Sequence, residues 1–202
     1  MRDGGQGGRD PAGGLRRAFA AIRLPAALHG PLHEAQERLC AAETRIGWTL
    51  PADLHLTLIF FGDTPGDRVA ALREGLEGIA VRSPPFDFQV AGAGFFGPPR
   101  APRVVWAGVA KVPAAMSALV RNLRDFARAG GWRVEDRPFQ PHITLGRVRS
   151  PAPGGALTAA LRSLTNTVFG SVTAKHLSLM AAAAEAQSGA RYDVIHESPL
   201  KG

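Results

Sequence analysis

Apolar residues recur at intervals of three and four along three long segments of the chain, which predicts three amphipathic helices. The first segment follows Pro25 and runs to Ile46, the second follows Pro65, and the third spans residues 113–130. A proline at the start of a helix is favourable, because its missing N–H would have no helical partner there. A shorter helix is predicted for residues 157–164.

Short runs of apolar and alternating residues predict strands between these helices. Two of them, residues 54–61 and 142–148, each carry a His-x-Thr-Leu sequence. Each half of the chain then reads strand, helix, motif strand, helix, strand. We therefore expect an α+β protein of two pseudo-symmetric lobes whose motif strands face each other across a cleft. The other predicted strands cover residues 17–22, 86–90, 104–109, 172–180 and 192–195.

Segments rich in glycine and proline divide the chain. Residues 1–14 hold six glycines among polar and charged residues. They bury too little apolar surface to offset the entropy of ordering, which predicts a flexible tail. Residues 15–202 are then expected to form a single bilobal domain. Within it, residues 150–155 are expected to be a linker and residues 187–189 a turn.

The composition is that of a folded protein with a basic surface. A chain of 202 residues with 45% hydrophobic and 20% charged residues suits one ordered domain. The net charge of +7 favours acidic partners such as nucleic acid, and a charge that only keeps the protein soluble is an equal alternative. Cys40 is the single cysteine, which excludes an intrachain disulfide and a cysteine zinc site. With no membrane-length apolar run and no secretory signal, we expect a cytoplasmic protein.

Alternation along a strand places the two polar residues of each motif on one face. His55 and Thr57 share a face of the first motif strand, and His142 and Thr144 share a face of the second. Each strand thus presents an imidazole and a hydroxyl to the cleft. The residues expected to face the core instead are Leu56, Leu58, Phe60, Ile143 and Leu145.

Two histidines on opposite sides of one phosphorus atom suit the hydrolysis of a phosphodiester. An imidazole has an ordinary pKa of about 6.5, so one can take a proton from water while the other protonates the leaving oxygen. Threonine hydroxyls can bind the non-bridging oxygens. A single motif of this kind is usually a structural pair, whereas two copies on predicted strands favour a functional one. Neither copy has the carboxylate spacing of a zinc protease, so we expect no metal site.

Around these motifs the chain resembles the 2H phosphoesterases, and among them the RNA 2′,3′-cyclic phosphodiesterases, also called 2′–5′ RNA ligases. The resemblance extends from about Arg17 to Leu200. It implies a bilobal fold in which antiparallel sheets line a central cleft and the helices lie outside. It also implies metal-independent hydrolysis of a 2′,3′-cyclic phosphate to a 2′-phosphomonoester. The segments that carry the resemblance are residues 17–25, 54–62, 102–109 and 137–148.

The resemblance also implies a role for each polar residue of the motifs. His55 corresponds to the proton donor to the leaving oxygen and His142 to the acceptor that activates water. Thr57 and Thr144 correspond to the residues that bind the phosphate.

Arg147 corresponds to the basic residue that follows the second motif in this family, where a guanidinium can neutralise phosphate charge. Its position five residues after His142 places it on the opposite face of a regular strand. A relaxed or bulged strand at Gly146 would return Arg147 to the cleft. The alternative is an ordinary surface arginine.

The chain departs from the family pattern in two places. Many relatives have two adjacent aromatic residues in the first strand, whereas here Phe19 is followed by Ala20. If the second aromatic residue stacks on a nucleobase, this protein lacks that contact. Near the C-terminus, His196, Glu197 and Ser198 replace the usual apolar and aromatic residues, which bears on the packing of the last strand.

Other polar residues carry weaker signals. His29 and His33 lie four residues apart, but a Gly-Pro pair separates them and an exposed helix face is favoured over a metal site. Arg121, Arg124 and Arg128 share one helical face, which suits either RNA phosphates or solvent.

Three functions remain to be separated. The first is hydrolysis of RNA 2′,3′-cyclic phosphate ends. The second is the same chemistry on a small cyclic nucleotide such as ADP-ribose cyclic phosphate, and the third is binding of RNA ends with little activity. The two complete motifs favour an enzyme. We expect a monomer that needs no cofactor and whose partner is RNA or a small cyclic nucleotide, not a membrane.

Overall fold

A computed structural model describes residues 15–40, 45–150, 155–183 and 191–202. The predicted tail at 1–14, most of the predicted linker at 150–155 and the predicted turn at 187–189 lie outside these ranges. No described helix combines the length and the apolar character that a membrane crossing requires.

The described residues form nine strands and four α-helices, and each predicted helix has a counterpart among them. The helices are α1 (His29–Cys40), α2 (Gly66–Val81), α3 (Ala114–Ala129) and α4 (Ala156–Arg162). The strands are β1 (Leu15–Arg23), β2 (Arg45–Trp48), β3 (His55–Pro65), β4 (Phe86–Phe96), β5 (Val104–Val109), β6 (His142–Ser150), β7 (Val168–Ala174), β8 (His176–Ala182) and β9 (Tyr192–Pro199).

The first predicted helix was too long. It was expected to reach Ile46, but α1 ends at Cys40 and Ile46 lies in β2. Ile46 and Trp48 alternate around Gly47, as residues of a strand do, and both side chains pack over Gly146 of β6. This packing favours a strand over a longer helix. A Cβ atom at Gly146 would lie 2.5 Å from Ile46 Cγ2, so only glycine leaves room for this pairing.

The strand predicted at 172–180 is two strands. β7 and β8 are separated at Lys175, and they pair with different partners: β7 with β4, and β8 with β1. The burial pattern changes with the partner: β7 alternates between buried and exposed residues, whereas β8 is buried at five of its seven positions.

All strand pairs are antiparallel, in the order β7-β4-β5-β6-β3-β1-β8-β9, with β2 also paired to β6. We call β1, β3, β8 and β9 the first lobe, and β2, β4, β5, β6 and β7 the second lobe. The lobes meet where β3 and β6 pair at Leu56 and Ile143. Helices α2 and α3 pack against the first lobe, whereas α1 and α4 pack against the second. The predicted bilobal α+β fold is confirmed.

The lobes do not correspond to the two halves of the chain. β2 and β4 come from the first half of the sequence but lie in the second lobe, and β8 and β9 come from the end of the sequence but lie in the first. Helix α1 follows β1 in sequence but packs against β6 and β7. The two motif strands are therefore neighbours at the centre of one sheet.

Buried side chains from both lobes form one continuous core. Leu56 and Ile143, the pair that joins the lobes, are fully buried within it. The polar residues of the last strand differ in how they are satisfied. Glu197 accepts hydrogen bonds from Arg23 and from Ser178, at 3.2 and 3.1 Å, whereas His196 Nε2 and Ser198 Oγ are buried without a hydrogen-bond partner in the described ranges. Strand β9 extends from Tyr192 to Pro199 with these residues in place.

Candidate functional site

The two motifs meet at one cavity of about 210 Å³ between the lobes. His55 is the first residue of β3 and His142 the first residue of β6, and both side chains line this cavity. Thr57 and Thr144 line it as well. We call it the motif cavity. The structure thus brings together all four residues that strand alternation assigned to the cleft.

Both imidazoles are held in the same way. His55 Nδ1 donates to the backbone carbonyl of Asp53 at 2.6 Å, and His142 Nδ1 donates to the carbonyl of Gln140 at 2.8 Å. A carbonyl oxygen can only accept, so the hydrogen must lie on Nδ1 in each ring. The Nε2 atoms are therefore the ones left to exchange a proton with a ligand in the cavity.

Aromatic rings fix the planes of the two imidazoles. Phe19 stacks on His55 with ring centroids 4.9 Å apart, and Tyr192 meets His55 edge-on at 5.2 Å. On the other side, Phe96 meets His142 edge-on at 4.8 Å. Each histidine therefore has a backbone anchor and at least one ring contact, which limits its rotation.

The pKa of both histidines lies below the ordinary value of 6.5. Burial is the main cause at His55; the carbonyl and the negative charge of Asp53 oppose it, and the charges of His142 and Arg147 add to it. Burial is also the main cause at His142, where the carbonyl of Gln140 opposes it and Arg147 adds to it. A carboxylate therefore acts on the pKa of His55 but not on that of His142.

A bulge follows the threonine in each motif strand. In β3, Thr57 and Ile59 pair with the adjacent residues Ala21 and Ala20, so Leu58 is an extra residue. In β6, Thr144 and Gly146 pair with the adjacent residues Trp106 and Val105, so Leu145 is extra. A bulge of this kind reverses the face on which later side chains lie.

This reversal places Arg147 in the cleft. Arg147 lines the motif cavity with both histidines, although regular alternation puts it on the opposite face. The extra residue is Leu145, directly before the glycine at which a bulge was considered in the sequence.

The same reversal makes one sequence prediction wrong. Phe60 was expected in the core, but it is 56% exposed and lines the motif cavity. Phe60 lies five residues after His55, as Arg147 lies five residues after His142. The pseudo-symmetry of the two strands therefore places a phenyl ring on one side of the cleft and a guanidinium on the other.

Phe19 and Ala20 of β1 lie on opposite faces of the strand, which bears on the aromatic residue that the family resemblance led us to expect at position 20. Ala20 is fully buried in the main core, on the face away from the cleft. Phe19 is the residue on the cleft side, where it packs with Ala21, Met180 and Tyr192. The missing second aromatic residue therefore affects core packing and not the walls of the motif cavity.

Sequence reasoning missed Asp53 and Arg191. Asp53 is only 1% exposed; its Oδ1 accepts a hydrogen bond from the backbone N–H of Arg191 at 2.9 Å, while its Oδ2 is buried and has no hydrogen-bond partner within the described ranges. Both residues line the motif cavity. The short distance between Asp53 and His55 in the sequence was an available signal, but nothing in the sequence connects Arg191 with the motifs.

A second cavity of about 420 Å³ adjoins the first. The two share four lining residues: Thr57, Phe60, Phe96 and His142. We call the larger one the side cavity. Of the three arginines that share a face of α3, only Arg124 lines it, and its guanidinium donates to the carbonyl of Arg137 at 2.8 Å.

The described part of the chain holds no group of three or more His, Cys, Asp and Glu side chains placed to bind a metal ion. His33, one of the two histidines in α1, lies 3.6 Å from Glu37 and 3.4 Å from Gln36 on its own helix. The polar groups that line the motif cavity are two imidazoles, four hydroxyls, two guanidinium groups and one carboxylate: those of His55, His142, Thr49, Thr57, Thr144, Tyr192, Arg147, Arg191 and Asp53.

Comparison with known proteins agrees with this geometry. The family model of the 2′-5′ RNA ligase superfamily matches residues 24–185. The RNA 2′,3′-cyclic phosphodiesterase of Methanothermobacter thermautotrophicus is 34% identical over 164 residues, which cover 81% of this chain and 88% of that protein. A protein of the same name from Geobacillus stearothermophilus is 41% identical over 125 residues, which cover 60% of this chain but 39% of that protein.

Solved structures show the same fold. A crystal structure of Escherichia coli LigT complexed with 3′-AMP is 26% identical, covers 93% of this chain and 99% of that one, and superposes with a TM-score of 0.68. The family expected from the two motifs is confirmed: the chain belongs to the 2′-5′ RNA ligase superfamily of 2H phosphoesterases.

Proposed function

We propose that this protein hydrolyses the 2′,3′-cyclic phosphate at RNA ends to a 2′-phosphomonoester, by acid–base catalysis between His55 and His142. The observation that carries the proposal is the matched pair of imidazoles at one cavity, each anchored through Nδ1 with Nε2 left for the ligand. The names of the Methanothermobacter and Geobacillus relatives support the substrate. The 3′-AMP bound to LigT supports a nucleotide ligand.

In the proposed reaction His142 takes a proton from water, and the water oxygen forms a bond to phosphorus. The bond from phosphorus to the 3′ oxygen breaks, and His55 gives its proton to that oxygen. Each histidine ends in the protonation state in which the other began, and exchange with solvent restores both. Positioned acid–base groups of this kind contribute about 10²- to 10⁴-fold each to the rate.

One electrostatic difference between the histidines has the direction that this assignment of roles needs. The negative charge of Asp53 raises the pKa of His55 against the effect of burial, which favours the protonated form that an acid needs. At His142 only a carbonyl oxygen opposes the effect of burial, and no carboxylate acts on its pKa.

The remaining polar residues suit the binding of the phosphate. Thr57 and Thr144 lie on the same face as the histidines, where their hydroxyls can donate to the non-bridging oxygens. Arg147 supplies the positive charge that the developing phosphorane needs, through charge-assisted hydrogen bonds. The monomeric state, the cytoplasmic location and the independence from cofactors stay predictions.

Turnover of an oligoribonucleotide with a 2′,3′-cyclic phosphate end tests the proposal. We expect a 2′-phosphate product, unchanged activity in EDTA, and losses of about 10²-fold or more for His55→Ala and for His142→Ala. His176→Ala is the matched control, because His176 is exposed at the start of β8 and lines neither cavity. A wild-type protein that leaves the cyclic end intact would refute the proposal.

The two rival functions predict other results in the same assay. A phosphodiesterase for small nucleotides turns over ADP-ribose cyclic phosphate faster than the oligoribonucleotide. An RNA-end-binding protein turns over neither substrate, and its His55→Ala variant binds cyclic-ended RNA with wild-type affinity.

A further inference from the structure

The side cavity is continuous with the motif cavity and extends it. A ligand whose phosphate lies between His55 and His142 meets the side cavity directly, because four residues line both spaces. The motif cavity, at about 210 Å³, is smaller than the roughly 300–1,000 Å³ typical of sites for small organic ligands. It suits the cyclic phosphate and its ribose, and the rest of a longer substrate has to extend beyond it.

The walls of the side cavity combine flat aromatic rings with positive charge. Phe60, Phe96 and Phe139 contribute the rings, and Arg124 and Arg137 contribute the charge, against a single acidic residue, Glu135. Base stacking on aromatic side chains beside a basic track is the usual way to bind a single strand. The hydrogen bond from Arg124 to the Arg137 carbonyl ties the loop before β6 to helix α3 and keeps these groups together.

Phe60 is the most informative residue of this wall. A phenylalanine that is 56% exposed leaves much of its ring without protein contact, and its nearest aromatic neighbour, Phe19, is tilted with centroids 5.7 Å apart. The bulge at Leu58 turns the Phe60 ring from the core to the junction of the two cavities.

We propose that the side cavity binds the nucleotide on the 5′ side of the cyclic-ended one, with its base on the phenylalanine wall and the linking phosphate at Arg137. This inference rests on the proposed function. It makes the enzyme selective for RNA strands over cyclic mononucleotides, because a mononucleotide has neither a second base nor a linking phosphate.

The test compares kcat/KM for a cyclic-ended dinucleotide with kcat/KM for a 2′,3′-cyclic mononucleotide that has the same terminal base. The wild type is expected to prefer the dinucleotide by at least about fivefold, the lower end for one stacked base. Phe60→Leu, which keeps apolar bulk without a flat face, is expected to lose most of this ratio. Phe60→Trp is expected to retain it.

Arg137→Gln tests the phosphate contact, and Arg73→Gln is its matched control, because Arg73 is exposed on α2 and lines neither cavity. A plot of log kcat/KM for the dinucleotide against log salt concentration measures this contact. Loss of one phosphate contact makes its slope shallower by about 0.7 for a single strand. A purely structural role of Arg137 would not change this slope. Arg73→Gln is expected to keep both the slope and the substrate ratio of the wild type.

The outcomes separate the two proposals. Turnover of neither substrate would refute the proposed function itself. Equal kcat/KM for both substrates in the wild type would overturn only the inference about the side cavity. A Phe60→Leu variant that loses the same factor on both substrates would also overturn it, since the wall would then serve the terminal nucleotide. If Phe60→Leu unfolds in thermal melts, the Arg137→Gln slope and the Phe60→Trp ratio decide instead.

Discussion

Replacement of Arg147 by glutamine is expected to change both the rate and the pH dependence of the reaction. Arg147 lines the motif cavity, and its charge lowers the pKa of both histidines. Hydrogen bonds to charged groups contribute about 1.5–3 kcal/mol. Because Arg147 is exposed and screened by solvent, we expect the lower half of this range. The predicted loss in kcat/KM is therefore about 10- to 40-fold, at 1.36 kcal/mol for each factor of ten.

The pH profile of the Arg147→Gln variant gives the second part of this prediction. A nearby positive charge disfavours protonation, so its removal raises the pKa of His55 and of His142. Both limbs of the bell-shaped kcat/KM profile are then expected to move to higher pH. The apparent values belong to the coupled pair, so the movement of the whole bell is the quantity to measure.

Steady-state kinetics on a 2′,3′-cyclic nucleotide between about pH 4 and 8 provide the assay. Arg149→Gln is the matched control, because Arg149 lies on the same strand and is exposed but lines neither cavity. An Arg147→Gln variant with the activity and both limbs of the wild type would refute the reasoning, and Arg147 would then be an ordinary surface residue.

Three further predictions concern the same region. In the wild type, both limbs of kcat/KM against pH are expected below pH 6.5, since burial lowers both histidine pKa values; a limb above 6.5 would contradict this account. Asp53→Asn removes the carboxylate that raises the pKa of His55 but keeps an oxygen for the Arg191 N–H, so the bell-shaped profile is expected to move to lower pH in the same kinetic assay. Ile143→Ala empties a fully buried position at the junction of the lobes and is expected to lower the free energy of unfolding in urea by about 2–5 kcal/mol; a change below 1 kcal/mol would show that the junction repacks.

Much of the site could be predicted because strand alternation holds over short distances. From His55 to Thr57, and from His142 to Thr144, no bulge intervenes, and the four side chains share a cleft as expected. Beyond each threonine one extra residue changes the face. The prediction for Phe60 therefore failed, and the face of Arg147 remained undecided.

The pairing of the strands was less accessible to sequence reasoning. Local pattern identifies a strand but carries little information about its partner, which depends on distant residues. The short strand β2 is an example: it forms because Gly146, far along the chain, leaves space for Ile46 and Trp48. The hydrogen bond from Arg191 to Asp53 is a similar case of distant residues that meet only in the folded protein.

The exchange of strands between the lobes has a consequence for folding. β8 and β9 complete the sheet beside β1, yet they follow all strands of the second lobe in the sequence. A nascent chain synthesised only as far as β6 contains both motifs but leaves the β8-facing edge of β1 unpaired, and such an edge can recruit strands of other chains. Long-range pairing of this kind also gives a high contact order, which slows folding. Refolding yield is therefore expected to fall as protein concentration rises.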